Sequence, residues 1–201
     1  MTARPVARRA ALISLLTAGL LGCGLAERPY AAVRRWPLQI QRPSILPLRP
    51  GGKIIEMRSI TAGPGLESDE LQALQPDGSL AQQFYERWVV PPAEGVSAAL
   101  RLWLAQSGRF GGVVNQGSRT EADVAMEGEL TVLVSNVPAQ TAQAAMALTF
   151  IDLRQPARPI LLQITPATTT KLADATPAMQ VKAQLSALAA LFEQIEHVVP
   201  Q

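Results

Sequence analysis

Three features of the chain have the residue types and spacing from which chemistry can be built. Glu127 and Glu129 lie two apart in an alternating run, so on a strand both side chains leave one face from points about 7 Å apart. That is near the spacing of the carboxylate pairs that hydrolyse glycosides. Catalytic pairs normally come from separate elements facing a cleft, and two glutamates on one strand read first as a solvated sheet face. His197 is the only histidine and falls in the last five residues, where a proton relay or a metal site would need partners that it lacks. Its expected role is interaction with the negative end of a closing helix. Cys23 is the only cysteine, which excludes an intramolecular disulfide, and no cluster of His, Cys or acidic residues surrounds it to build a metal site. Gly63-Pro64-Gly65 and Gly111-Gly112 match neither phosphate-loop pattern and read as turns, so ATP binding is not expected. No nucleophile elbow is present. This inventory predicts no enzyme, no cofactor and no metal.

Cys23 is informative through its position. Arg4, Arg8 and Arg9 precede an apolar run over residues 10–21, and the small residue Gly22 stands before the cysteine, in the order of a secretory signal peptide. Twelve apolar residues are too few for a permanent helical span, which takes roughly 20. Leu20-Leu21-Gly22-Cys23 resembles the bacterial lipobox. The resemblance implies cleavage between Gly22 and Cys23 and a covalent lipid on Cys23. Two or three acyl chains anchor stably where one does so only marginally. An ordinary signal peptide, or a buried helix opening the fold, is the alternative. Gly24, not Asp, follows the cysteine, which by resemblance to lipoprotein sorting favours the periplasmic face of the outer membrane over the inner membrane.

The net charge of +2 comes from 18 basic and 16 acidic residues. Without the three early arginines fifteen basic residues face sixteen acidic ones, a net charge of −1, which leaves no footprint for nucleic acid. The chain therefore divides into a signal peptide (1–22), a lipidated, proline-rich tether (23–52) and one domain (53–201). Tyr30, Trp36, Leu38 and Ile40 are expected to dock part of the tether onto that domain. Within the domain, residues 53–62 read as a first strand closed by Gly63-Pro64-Gly65. Residues 71–74 and 80–90 read as a hairpin around the type I turn Gln75-Pro76-Asp77-Gly78. Pro91-Pro92 opens an amphipathic helix over 92–107 that Gly108 terminates, and Phe110 with Val113-Val114 leads back into the sheet.

From Val124 to Val134 the even-numbered residues Val124, Met126, Gly128, Leu130, Val132 and Val134 form the expected buried face. Residues 143–153 return as a second hairpin, residues 160–165 make the last strand, and residues 177–196 form a closing helix. The expected fold is α/β, with α+β open: a mixed, largely antiparallel sheet of five to six strands flanked by two main helices. Trp88, Pro91, Trp103 and Phe110 are the candidate partner or lipid contacts, since aromatics suit surfaces that are half apolar and half wet. For Trp103, on the apolar stripe of its helix, a core position is favoured over that role, while for Trp88, beside the Pro-Pro corner, the two stand level.

From the tether onward the chain resembles the ABC-type transport auxiliary lipoproteins, the PqiC-like components associated with MCE-type lipid transport. The residues that carry the resemblance are Tyr85-Glu86-Arg87-Trp88-Val89-Val90-Pro91-Pro92, Ala98 to Leu104, Ser107-Gly108-Arg109-Phe110 and Glu127-Gly128-Glu129-Leu130. The resemblance implies a periplasm-facing partner of an MCE-domain protein, a permease and an ATPase, acting by binding, with a homo-oligomer compatible. A structural or assembly lipoprotein of the envelope is the alternative, and a secreted hydrolase stands third.

Overall fold

The computed structural model describes residues 31–200. Tyr30 and the cleavage and lipidation positions Gly22 and Cys23 lie outside the described residues. Nine strands and two helices occur in the order β1 (Arg34–Trp36), β2 (Ile54–Ala62), β3 (Glu70–Leu74), β4 (Leu80–Trp88), α1 (Pro92–Ala105), β5 (Gly112–Asn115), β6 (Val124–Asn136), β7 (Thr141–Asp152), β8 (Ile160–Ile164), β9 (Ala167–Lys171) and α2 (Pro177–Val198).

The antiparallel β6–β7 hairpin is the centre of a mixed α/β sheet. Two successive strands share each of its outer edges. β2 runs parallel to β6 as far as Leu130, and β3 takes up the same edge at Ser135 and Asn136. β8 pairs Leu148 to Ile151 of β7, and β9 pairs Thr141 to Ala145. Each shared edge is interrupted where the ladder cannot continue. Gly63-Pro64-Gly65 turns the chain between β2 and β3, with Gly65 at φ +84°, and Pro166, which has no N–H to donate, separates β8 from β9. Sequence patterning predicts five or six strands, largely antiparallel; among the described residues there are nine, and β1, β2, β3 and β5 bring parallel pairings. β1 and β9 are short and polar, with no alternating apolar pattern of their own.

Both helices cover one face of the sheet and touch each other, α1 over β2, β5 and β6 and α2 over β7, β9 and β6. Trp103 of α1 meets Phe192 of α2 edge to face, with centroids 5.9 Å apart. Pro92 and Pro177 each occupy the first helical turn, where a missing amide hydrogen removes no bond. Thr168 and Thr170 of β9 donate their hydroxyls to the Ala187 and Ala183 carbonyls of α2, at 2.7 and 2.8 Å. Those bonds tie the polar strand to the helix that covers it.

β6 departs from its expected alternation. A bulge between Leu130 and Val132 leaves Thr131 without a partner on β7 and reverses the facing of the residues beyond it. Leu133 and Ser135 are buried there, while Val132 and Val134, expected in the core, are only half-buried.

The segment before β2 lies against the domain. β1 pairs in parallel with β4, Trp36 opposite Trp88, and Trp36, Leu38 and Ile40 pack on the core. Gly95 lets Leu38 approach α1, since a Cβ there would sit 3.1 Å from the Leu38 Cβ.

Candidate functional site

A groove of about 1540 Å³ crosses the middle of β2, β6, β7 and β8 and reaches the C-terminal half of α2. It brings together residues that the sequence offers separately: Glu127 and Glu129 from β6 and His197 from α2. Gly128, between the two glutamates, allows β6 and β7 to approach closely at the groove floor. A Cβ at that position would lie 2.1 Å from the Ala147 carbonyl oxygen.

The arrangement sorts these groups by what they touch. Arg58 of β2 donates to the Glu127 carboxylate at 2.9 Å and to Glu56 at 3.1 Å. The Glu127 hydrogen bond raises the affinity of the Arg58 guanidinium for its proton above the ordinary value. Glu127 is thereby the partner of a fixed cation. Nδ1 of His197 lies 2.7 Å from the Glu193 carbonyl one turn back, and a proton on Nδ1 completes a hydrogen bond to the helix backbone. No described ion pair engages Glu129 or Glu193, and both line the groove. Among the described residues, no group of three or more His, Cys, Asp or Glu is placed to hold a metal. The groove can receive a partner surface that combines apolar contact with donors for two carboxylates.

Arg58 and Glu193 are the lining residues that sequence reasoning missed. Their signals are a lone arginine inside the apolar run of β2, and a glutamate four residues before His197, hence on the same helix face.

The candidate contacts fall elsewhere. Trp88, Trp103 and Phe110 are 1%, 5% and 1% exposed, so three of the four predicted partner or lipid contacts are core residues. The physical reason is the segment before β2. β1 lies along β4 beside Trp88; Arg42 sits over Trp103 at 5.7 Å; and Arg49 N donates to the Phe110 carbonyl at 2.8 Å. Pro91 alone of the four is exposed.

That segment is fastened by two buried carboxylates of like construction. Glu86 accepts from Arg34 Nε and Trp36 Nε1, each at 2.8 Å. Glu196 accepts from Arg42 Nη2 and Trp103 Nε1, also at 2.8 Å. A buried carboxylate with both oxygens occupied by charged and indole donors is retained because its desolvation is offset.

A single sheet covered on one face by two helices, with a polar and apolar groove and a strapped N-terminal segment, defines a two-layer α/β domain. The chain belongs to the family of ABC-type transport auxiliary lipoprotein components, whose model matches residues 37–196. Membership associates it with the cell envelope and with an ABC-type transport system. No curated protein matches the sequence significantly. Among solved structures, an uncharacterized protein superposes with a TM-score of 0.66 at 11% identity, over 84% of this chain and 99% of that one. A protein of Xanthomonas campestris does so with a TM-score of 0.64 at 13% identity, over 83% and 91%. A hypothetical protein of Chlamydia trachomatis reaches 0.50 at 9% identity, over 72% and 96%. These likenesses concern the fold.

Proposed function

We propose that the protein is a lipid-anchored, periplasm-facing accessory subunit of an MCE-type lipid transport system, held by Cys23 at the outer membrane and acting by binding. The observation that carries this reading is the family match over residues 37–196. Of the side chains with catalytic potential, Glu127 is engaged by Arg58 and His197 Nδ1 by its own helix backbone, which leaves Glu129 without a free carboxylate partner on its strand and supports a binding role. In this reading the ATPase and permease are separate polypeptides and ATP hydrolysis takes place there. The groove beside Glu129 and Glu193 is the surface offered to the partner.

Affinity purification from native membranes followed by mass spectrometry tests the reading. Recovery of an MCE-domain protein with its permease and ATPase is the expected result. Their repeated absence under gentle detergent overturns it. Glu129→Lys with Glu193→Lys reverses charge at two exposed or half-exposed positions, so stability should change within about 0.5 kcal/mol. Recovery of the partner should nevertheless fall.

A further inference from the structure

We propose that residues 43–50 form a bilayer-docking loop, in which Ile45, Leu46 and Leu48 enter the interface of an anionic lipid surface while Arg49 and Lys53 meet its headgroups. The inference rests on the reading of a lipid-anchored chain and adds a second, non-covalent contact with the membrane.

The three aliphatic side chains are 72%, 47% and 50% exposed within four positions. This loop is held in place. Leu46 N donates to the Gln106 carbonyl at 2.9 Å, Arg49 N to the Phe110 carbonyl at 2.8 Å, and Arg42 Nη1 to the Ser44 carbonyl at 2.6 Å. Pro43, Pro47 and Pro50 fix φ along it. Loops usually expose polar side chains. A hydrogen-bonded, proline-stiffened loop that instead holds three large aliphatic groups in water meets an apolar phase with its ordering already done.

Charge identifies that phase as anionic lipid. From Arg28 to Ile55 the chain carries six cations and no Asp or Glu. Arg34, Arg35 and Arg42 are engaged by Glu86, Asp69 and Glu196, whereas no described ion pair engages Arg49 or Lys53. Apolar side chains flanked by free cations are the composition of an interfacial lipid contact. Chain length is consistent with it: Arg34 lies eleven positions after Cys23, a stretch that spans at most about 40 Å when extended.

Acylation of Cys23 leaves a cysteine introduced by Ile45→Cys as the only free thiol. The full lipidated chain carrying this substitution, labelled with an environment-sensitive fluorophore, is incorporated into vesicles of phosphatidylethanolamine with a minority of phosphatidylglycerol. Ser118→Cys, in an exposed turn, is the control. The expected result is a blue-shifted emission at position 45, quenched severalfold more by lipid-borne nitroxide than at position 118. Arg49→Glu with Lys53→Glu should diminish that difference. Protein that floats with the vesicles but is equally water-accessible at both positions overturns the docking loop and leaves the anchor intact. Protein that does not float overturns both. Protection at position 45 in native membranes but not in vesicles assigns the loop to a protein partner and also overturns the proposal.

Discussion

Glu86 and Glu196 have the same surroundings, an arginine and a tryptophan N–H, and both join the N-terminal segment to the domain. The side chains of Arg42 and Glu196 are 12% and 8% exposed, so removing one leaves the other charge largely out of water. Glu196→Ala should therefore destabilise by about 3 kcal/mol, the scale of a broken buried pair. Glu127→Gln, whose carboxylate is 41% exposed beside Arg58, should cost below about 1 kcal/mol. Urea unfolding of the two variants checks the contrast. Asp152 gives a pH signature. Its carboxylate is held down to about 2, first by the hydrogen bond from the Arg154 side chain and then by the Arg154 N–H. A carboxyl group depressed in the folded state contributes stability that is complete above its unfolded value, about 4, and is lost as the pH falls toward 2. Asp152→Asn should lower stability at neutral pH and flatten its dependence between about pH 4 and about pH 2, measured by urea midpoints across that range. Apart from the local pair Asp152–Arg154, these pairings were not legible in the sequence. Glu196 lies 154 positions from Arg42, and only folding brings them into one low-dielectric site.

Among the elements, both helices and the two hairpins were legible because each has a local cause. An apolar stripe opens behind a proline in α1 and α2, and a Pro-Asp-Gly turn stands between β3 and β4. The bulge in β6 was not legible, because Val132, Leu133 and Val134 are all apolar and either alternation satisfies the pattern. β1 and β9 escaped because their stability comes from neighbours, the core beneath Trp36 and the threonine bonds to α2. The close approach of the N-terminal segment to the end of α1 has a direct test at Gly108. Its φ is +70°, and a Cβ would lie 2.7 Å from that of Leu46. Gly117 has φ +82° with open space around it. Gly117→Ala should cost about 1 kcal/mol, the left-handed penalty alone. Gly108→Ala should cost clearly more because Leu46 must move as well. Thermal unfolding of the two variants separates backbone strain from steric contact.

At the scale of the whole molecule, lipidation is the reading on which localisation depends. Cys23→Ala should leave the precursor uncleaved and unlabelled by radioactive palmitate, and normal maturation of that variant would exclude the anchor. The sequence by itself determined the class of fold, the residues of most core faces and the family, because periodicity, turn chemistry and ordered short motifs are local properties of a chain. It also supplied Glu127, Glu129 and His197, though as unrelated residues on a strand and a helix end. Only the tertiary structure decided that they share a groove, that Trp88 and Phe110 join Trp103 in the interior, and that Ile45, Leu46 and Leu48 remain outside. Burial is a property of what packs against a residue. Here the covering piece is a proline-rich segment whose isolated apolar residues predict docking in part, but whose exact place is set by contacts across the full length of the chain.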